Sequence, residues 1–153
     1  MTELNDIYST RLLDLAAEIP HSERLKDADA TATAHSKLCG STITVDLKLD
    51  GDTITDFGQT VKACLLGQAS ASIVGREVIG VKAAEIAEVG RIMRAMLKEG
   101  GPPPTGRWAD LGLLVPVRPY KSRHASTLLI FEAIDRALAS AGVETAERAS
   151  AGA

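Results

Sequence analysis

Aromatic side chains are nearly missing from this chain: one Trp, two Tyr and two Phe among 153 residues. The core must therefore be built from Leu, Ile, Val and Ala. No apolar run is long enough to cross a membrane. Basic residues do not predominate, with 17 Lys and Arg against 20 Asp and Glu. That balance argues against a general affinity for nucleic acid or anionic lipid, both of which need a basic patch. The opening "MTELNDIYST" has neither the basic start nor the apolar centre of a secretory signal. The expected location is the cytoplasm. Thiols stay reduced there, so the only two cysteines, Cys39 and Cys64, are not expected to form a structural disulfide, and a metal or reactive role gains weight. This length fits one domain, taken as 1–141, with a flexible Ala- and Gly-rich tail over 142–153.

What is present has a clear order. Ile7, Leu12, Leu13 and Ile19 fall at roughly helical spacing and predict a helix that ends before Pro20. A polar turn, "HSERLKDAD", follows, and "ATATAHS" alternates weakly enough to suit an edge strand. The clearest local signal is "STITVDLKLDGDTITDFGQTV". Ile43, Val45, Leu47 and Leu49 point one way, and Thr42, Thr44, Asp46 and Lys48 the other. Asp50-Gly51-Asp52 supplies a turn, and Ile54, Phe57 and Val61 suit a returning strand with a bulge at Gly58. The prediction is a hairpin with one wet face and one core face.

Beyond Leu65 the period changes. "LLGQASASIVGREVIG" reads as a helix of small residues able to lie close to the sheet. "VKAAEIAEVGRIMRAMLKEGG" carries a stripe of Ile86, Val89, Met93 and Met96 or Leu97, and Gly100-Gly101 ends it. "PPPTGRWADLG" is a loop with Trp108 folded back onto the body. A last helix over 122–139 buries Leu128, Leu129, Phe131 and Ile134. Helix, antiparallel strands, then helices make the fold class α+β, a small sheet of about three strands packed against several helices.

Cys39 stands before the first hairpin strand and Cys64 where the second gives way to a helix. In a hairpin those two points lie side by side, so both cysteines should meet at one end of the sheet. A helix N-terminus offers unpaired N–H groups that favour thiolate. The alternative is two half-buried filler residues, a common use of cysteine. His35 precedes Cys39 by four residues and suits strand-edge decoration better than ligation; His124 near the last helix either reaches the site or faces solvent. Ser126 and His124 do not make a hydrolase pair, since no G-x-S-x-G elbow accompanies them. "GQASAS" lacks a phosphate-loop lysine. No enzyme chemistry is expected.

"KLCGSTITVDLKLDGDTITDFGQTVKACLLGQASASIV" and "SRHASTLLIFEAIDRAL" resemble the NifU-like family of iron–sulfur cluster assembly scaffolds, which includes IscU and SufU. The long stretch between Cys64 and Ser126 is closer to the SufU-like branch. The resemblance implies three cysteines and an aspartate around a metal or nascent cluster. Cys39 and Cys64 match two of them. Ser41 stands at the aspartate position, Ser126 at the third cysteine and Arg123 at the basic residue before it. Ala125 occupies the position of a histidine found in IscU-like members, with His124 one residue earlier.

The implied function is a scaffold or carrier that binds iron or a nascent cluster through Cys39 and Cys64, with His124, Ser126 and Ser41 as further candidate ligands. A homodimer could pool four thiolates around one cluster. The implied partners are a cysteine desulfurase and iron–sulfur target or carrier proteins, with Lys121 and Arg123 able to meet an acidic partner surface. Serine hydroxyls are poor substitutes for thiolate or carboxylate. A docking or regulatory paralogue without a stable cluster is therefore the second reading, and a zinc-dependent sulfur acceptor the third.

Overall fold

The computed structural model of the protein describes residues 10–37 and 40–143. Ile7, Cys39 and most of the expected tail lie outside them. The elements in chain order are helix α1 (Thr10–Ala17), strands β1 (Ala30–His35), β2 (Thr42–Asp50) and β3 (Thr53–Lys62), and helices α2 (Leu65–Glu77), α3 (Ala83–Glu99) and α4 (His124–Ser140). Two 3₁₀ segments, Gly106–Val117 and Lys121–Arg123, fill the gap before α4. The strands form one antiparallel sheet in the order β1-β2-β3. The α+β architecture read from the sequence is the one observed.

Alternation along β2 does its expected work on one face. Ile43, Val45 and Leu47 are fully buried and Leu49 packs partly against them. The other face departs from expectation, because Asp46 is fully buried there. The cause is the stretch read as a polar turn. Residues 20–29 run as a strap across the outer face of the sheet. The His21 carbonyl accepts from the Gln59 N–H at 2.8 Å, Lys48 reaches the Asp27 carbonyl at 2.8 Å, and Asp29 accepts from the Leu49 N–H. Arg24 clamps Asp46 with Nε at 2.6 Å and a second nitrogen at 3.1 Å; the Thr31 hydroxyl and the Leu25 N–H complete its shell.

The bulge also sits elsewhere. Lys48 pairs with Asp56 but Leu49 with Ile54, so Thr55 is the extra residue. Gly58 instead makes room for the strap. A Cβ there would lie 2.2 Å from the Glu23 carbonyl oxygen.

Burial alone pushes the Asp46 carboxyl upward. Its hydrogen bonds from Arg24, Thr31 and the Leu25 N–H outweigh that, and its pKa falls below the ordinary carboxylate value. Asp110 is lowered as well, chiefly by its hydrogen bond from Arg76 at 2.8 Å, against partial burial and with help from Arg11 at 3.0 Å. A carboxylate lowered on folding adds stability above its unfolded pKa of about 4, and that stability is lost as the pH drops through the folded value. Thermal unfolding across pH 7 to 3 is therefore expected to show a falling acid limb. Asp46→Asn should cost about 1–3 kcal/mol at neutral pH, with the gap to wild type closing at the acid end. A constant gap across that range would refute the linkage.

The helices refine the expectations in detail. Leu12 and Leu15 carry the inner face of α1, whereas Leu13 is 44% exposed. The small residues of α2 serve contacts with α1 and α4 more than with the sheet. The stripe of α3 (Ile86, Val89, Met93, Met96 and Leu97) is buried as read, and Gly100 closes the helix in the left-handed region at φ 73°. Helix α4 begins two residues later than expected and is buried on nearly all sides, Leu128, Leu129, Phe131 and Ile134 included. It crosses under β1 and β2 and touches α2 and α3, so it is the centre of the packing. Trp108 is buried and its Nε1 donates to Glu85 at 2.8 Å, which fixes the long excursion to α3.

Candidate functional site

The hairpin register places the candidate residues. Thr42 pairs with Lys62, so the connection from β1 to β2 and the exit of β3 share one end of the sheet. The connection is tight: the Ser36 N–H donates to the Ser41 carbonyl at 2.8 Å, and the Gly40 N–H to the Ser36 carbonyl at 2.9 Å, with Gly40 at φ 71°. Ser41 is buried, at 2% exposure. Cys39 belongs to this connection by sequence but lies outside the described residues.

Cys64 is the residue that caps α2. Its backbone is extended (φ −67°, ψ 170°), and its carbonyl accepts the helix's first bond from the Gln68 N–H at 2.9 Å. The side chain is half-buried and its thiol is free. Its Sγ lies 3.1 Å from the Ser126 Oγ, one hydrogen-bonded pair across 62 positions of sequence. Ser126 is 1% exposed and sits in the first turn of α4.

Gly67 makes this approach possible. A Cβ on it would stand 2.9 Å from the Ala63 Cβ and 3.1 Å from the Ser126 carbonyl oxygen. The start of α2 and the start of α4 thus meet where only glycine fits.

His124 is not a solvent-facing decoration. It is 3% exposed, and its Nε2 donates to the Arg118 carbonyl at 2.9 Å. A neutral ring that donates from Nε2 keeps its lone pair on Nδ1. Ala125, the next residue, is exposed, as a step of roughly 100° around the helix requires. Arg118 itself donates to the carbonyls of Met96 at 2.7 Å and Gly101 at 3.0 Å. Sequence reasoning missed this clasp, because nothing in "VRPYK" distinguishes Arg118 from a solvated arginine. His35 is exposed on the outer side of β1, and Lys121 is exposed beside the site end of α4.

The structure therefore brings together Cys64 and Ser126 in contact, with Ser41 at the same end of the sheet and His124 bound into the backbone behind α4. Iron–sulfur clusters take four thiolate-type ligands as a rule, and zinc four nitrogen or sulfur donors. Among the described residues, no group of three or more His, Cys, Asp or Glu side chains could hold a metal ion. One thiol and two hydroxyls fall short of a closed metal site.

The fold and site define a class of α+β domains that present a half-buried thiol between a hairpin end and two helix starts. Comparison with known proteins gives the class its family. Residues 7–126 match the NifU-like N terminal domain, and the chain belongs to that family. A crystal structure of a nitrogen-fixing NifU-like protein (N-terminal) from Brucella abortus is 48% identical, with a TM-score of 0.90 over 92% of this chain and 97% of that one. The iron-sulfur cluster assembly scaffold protein IscU of Thermotoga maritima is 26% identical over 86% of this chain and 92% of its own length. A putative iron-sulfur cluster assembly scaffold protein for the SUF system from Fervidobacterium islandicum shares the fold, with 22% identity, a TM-score of 0.80, and coverage of 88% of this chain and 98% of that one.

Proposed function

We propose that this protein is a scaffold or carrier in iron–sulfur cluster assembly, not an enzyme, and that it takes up iron or a nascent cluster through Cys64 together with Cys39. The observation that carries this reading is the placement of Cys64: a half-buried thiol on the N-cap residue of α2 within a NifU-like domain, beside Ser126 at 3.1 Å. Iron and cluster are cargo here. The chain's own residues bind and orient them, and Ser126, 3.1 Å from the Cys64 sulfur, and Ser41, at the same end of the sheet, are the candidate hydroxyl donors for a position not filled by sulfur. His124, through Nδ1, is a further candidate. Thiols must lose their protons to bind metal, so loading should weaken as the pH falls. The proposed partners are a cysteine desulfurase and the proteins that receive the cluster, and the proposed location is the cytoplasm.

A second reading is favoured by one specific observation. The two serines stand where stronger ligands are implied, and Ser126 is engaged in a hydrogen bond to Cys64. A docking paralogue would keep the surface around Lys121 and Arg123 and hold no stable cluster. The zinc-dependent sulfur acceptor has less support, because the acceptor cysteine it implies falls at Ser126.

Anaerobic reconstitution with iron and sulfide decides between the first two. Visible absorption and bound iron are expected in the wild type and not in the Cys39→Ser, Cys64→Ser double variant. A folded wild type that takes up neither iron nor sulfide would overturn the scaffold reading in favour of docking.

A further inference from the structure

The Ser126 hydroxyl has one proton and two neighbours that can take it: the Cys64 sulfur at 3.1 Å and the Arg123 carbonyl at 3.4 Å. The carbonyl does not depend on it, because the Thr127 hydroxyl donates there at 2.8 Å. The sulfur has no such second partner. Cys64 is the N-cap residue of α2, yet its side chain makes no capping bond. Among the described residues Ser126 is its one hydrogen-bond partner. In the thiol form, the Cys64 S–H can donate to Ser126 Oγ while the Ser126 hydroxyl donates to the Arg123 carbonyl. An ion that displaces the thiol proton leaves the sulfur an acceptor only. The Ser126 hydroxyl then turns to the sulfur, and Thr127 keeps the carbonyl satisfied.

Distance and packing set this role apart from ligation. Two donors sharing a tetrahedral ion, a sulfur at about 2.3 Å and an oxygen at about 2.1 Å, stand about 3.6 Å apart. The observed 3.1 Å is a hydrogen-bond separation. Ser126 has little room to draw back. It is 1% exposed, and its backbone carbonyl abuts Gly67, where an added Cβ would stand 3.1 Å from the oxygen. A neutral hydroxyl is moreover a weak ligand for a metal that takes thiolate.

We infer that Ser126 is the hydrogen-bond donor to the metal-bound Cys64 thiolate, not a ligand, and that it makes Cys64 the bond that lets cargo go. The inference rests on the scaffold reading for its cargo and narrows the part Ser126 has there. A hydrogen bond to a ligating sulfur draws electron density out of the metal–sulfur bond. It also holds the negative charge of a departing thiolate. In release, a thiolate of the receiving protein bonds to the metal as the Cys64–metal bond breaks. Cys64 leaves with the bonding electron pair, steadied by the Ser126 hydroxyl, and takes a proton from water. A cysteine at this position would be a further anchor. Serine turns the same contact into an aid to departure, which suits a carrier that hands its cargo on.

Methylmercury tests this apart from the scaffold reading, because it binds a single thiolate and needs no cluster site. The full-length Cys39→Ser chain, whose one thiol is Cys64, is loaded with it and challenged with excess free cysteine. Mass spectrometry follows the transfer. Ser126→Ala is expected to slow it by about threefold to tenfold, and Ser126→Thr to restore it to within about twofold, as one hydrogen bond to a charged sulfur requires. The infrared S–H stretch of the unloaded chain should shift in Ser126→Ala and return in Ser126→Thr, a signature that a merely structural role would not give. A transfer no slower in Ser126→Ala, or an S–H stretch indifferent to it, would overturn the inference. So would a loss of cobalt affinity of about tenfold or more on Ser126→Ala in the otherwise wild-type chain, since that is the mark of a ligand. A wild type that takes up no cobalt counts against the scaffold reading alone, and the methylmercury rates still decide the role of Ser126.

Discussion

Replacing Gly58 with alanine should lower stability by about 3 kcal/mol or more, which for a domain of this size moves the melting temperature by roughly 10 °C. The added Cβ would lie 2.2 Å from the Glu23 carbonyl oxygen, a backbone atom with no rotamer to yield. The strap must then lift from the sheet. Arg24 and the Leu25 N–H, adjacent in sequence, would be drawn away from Asp46, which is fully buried and needs both. The loss is thus steric strain plus part of a buried carboxylate's hydrogen-bond shell. Gly90→Ala is the contrasting case. A Cβ there meets Phe131 at an ordinary 3.5 Å inside α3, and alanine's helix propensity should make it neutral or stabilising by up to about 1 kcal/mol. Thermal melts of both variants check the pair. Equal effects would show that the strap is not pinned at Gly58.

Ser126→Cys should produce the largest change in metal chemistry. The hydroxyl it replaces lies 3.1 Å from the Cys64 sulfur, and two thiolates sharing a tetrahedral ion with bonds of about 2.3 Å stand about 3.8 Å apart, so an adjustment of under about 1 Å lets the new thiol share an ion with it. A third thiolate in a chain that has two should raise affinity for cobalt or zinc on the order of 100-fold or more. Cobalt is the useful probe, because thiolate coordination gives it visible absorption. Ser41→Asp in the same chain adds an oxygen donor at the same end of the sheet and should tighten binding further. No gain in the single variant, with the fold intact, would mean that position 126 supports Cys64 through its hydrogen bond and has no path to a shared ion.

Much of this arrangement is legible in the sequence, for reasons that differ by element. The alternation of Ile43, Val45 and Leu47 specifies β2 and its inner face because one face of the hairpin is buried. The α3 stripe and its Gly100 stop are equally local signals. Hairpin topology alone places the exit of β3, and hence Cys64, beside the β1–β2 connection. What stayed hidden is nonlocal. Asp46 reads as a solvated residue until Arg24, 22 positions earlier, is laid over it. Leu13 reads as core because spacing cannot say which side of a short helix meets its neighbours. Gly58 invites a bulge because a glycine in a strand has two common explanations, and the close crossing chain is the one that applies. At the site, the Cys64–Ser126 pair follows from the family register, but the burial of His124 depends on Arg118, whose partners lie in α3 and one residue past its cap.

That last clasp bears on how freely the chain can vary. Arg118 grips the Gly101 carbonyl, and His124 grips Arg118 in turn, so the excursion leaves and rejoins the body at a single knot. Whatever is spliced between those two points closes on itself and exerts no pull on the start of α4. Residues 105–107, exposed ahead of the buried Trp108, are accordingly the place where a homologue can lengthen or shorten, or an engineer can graft a foreign segment, with the distance between Cys64 and Ser126 unaltered.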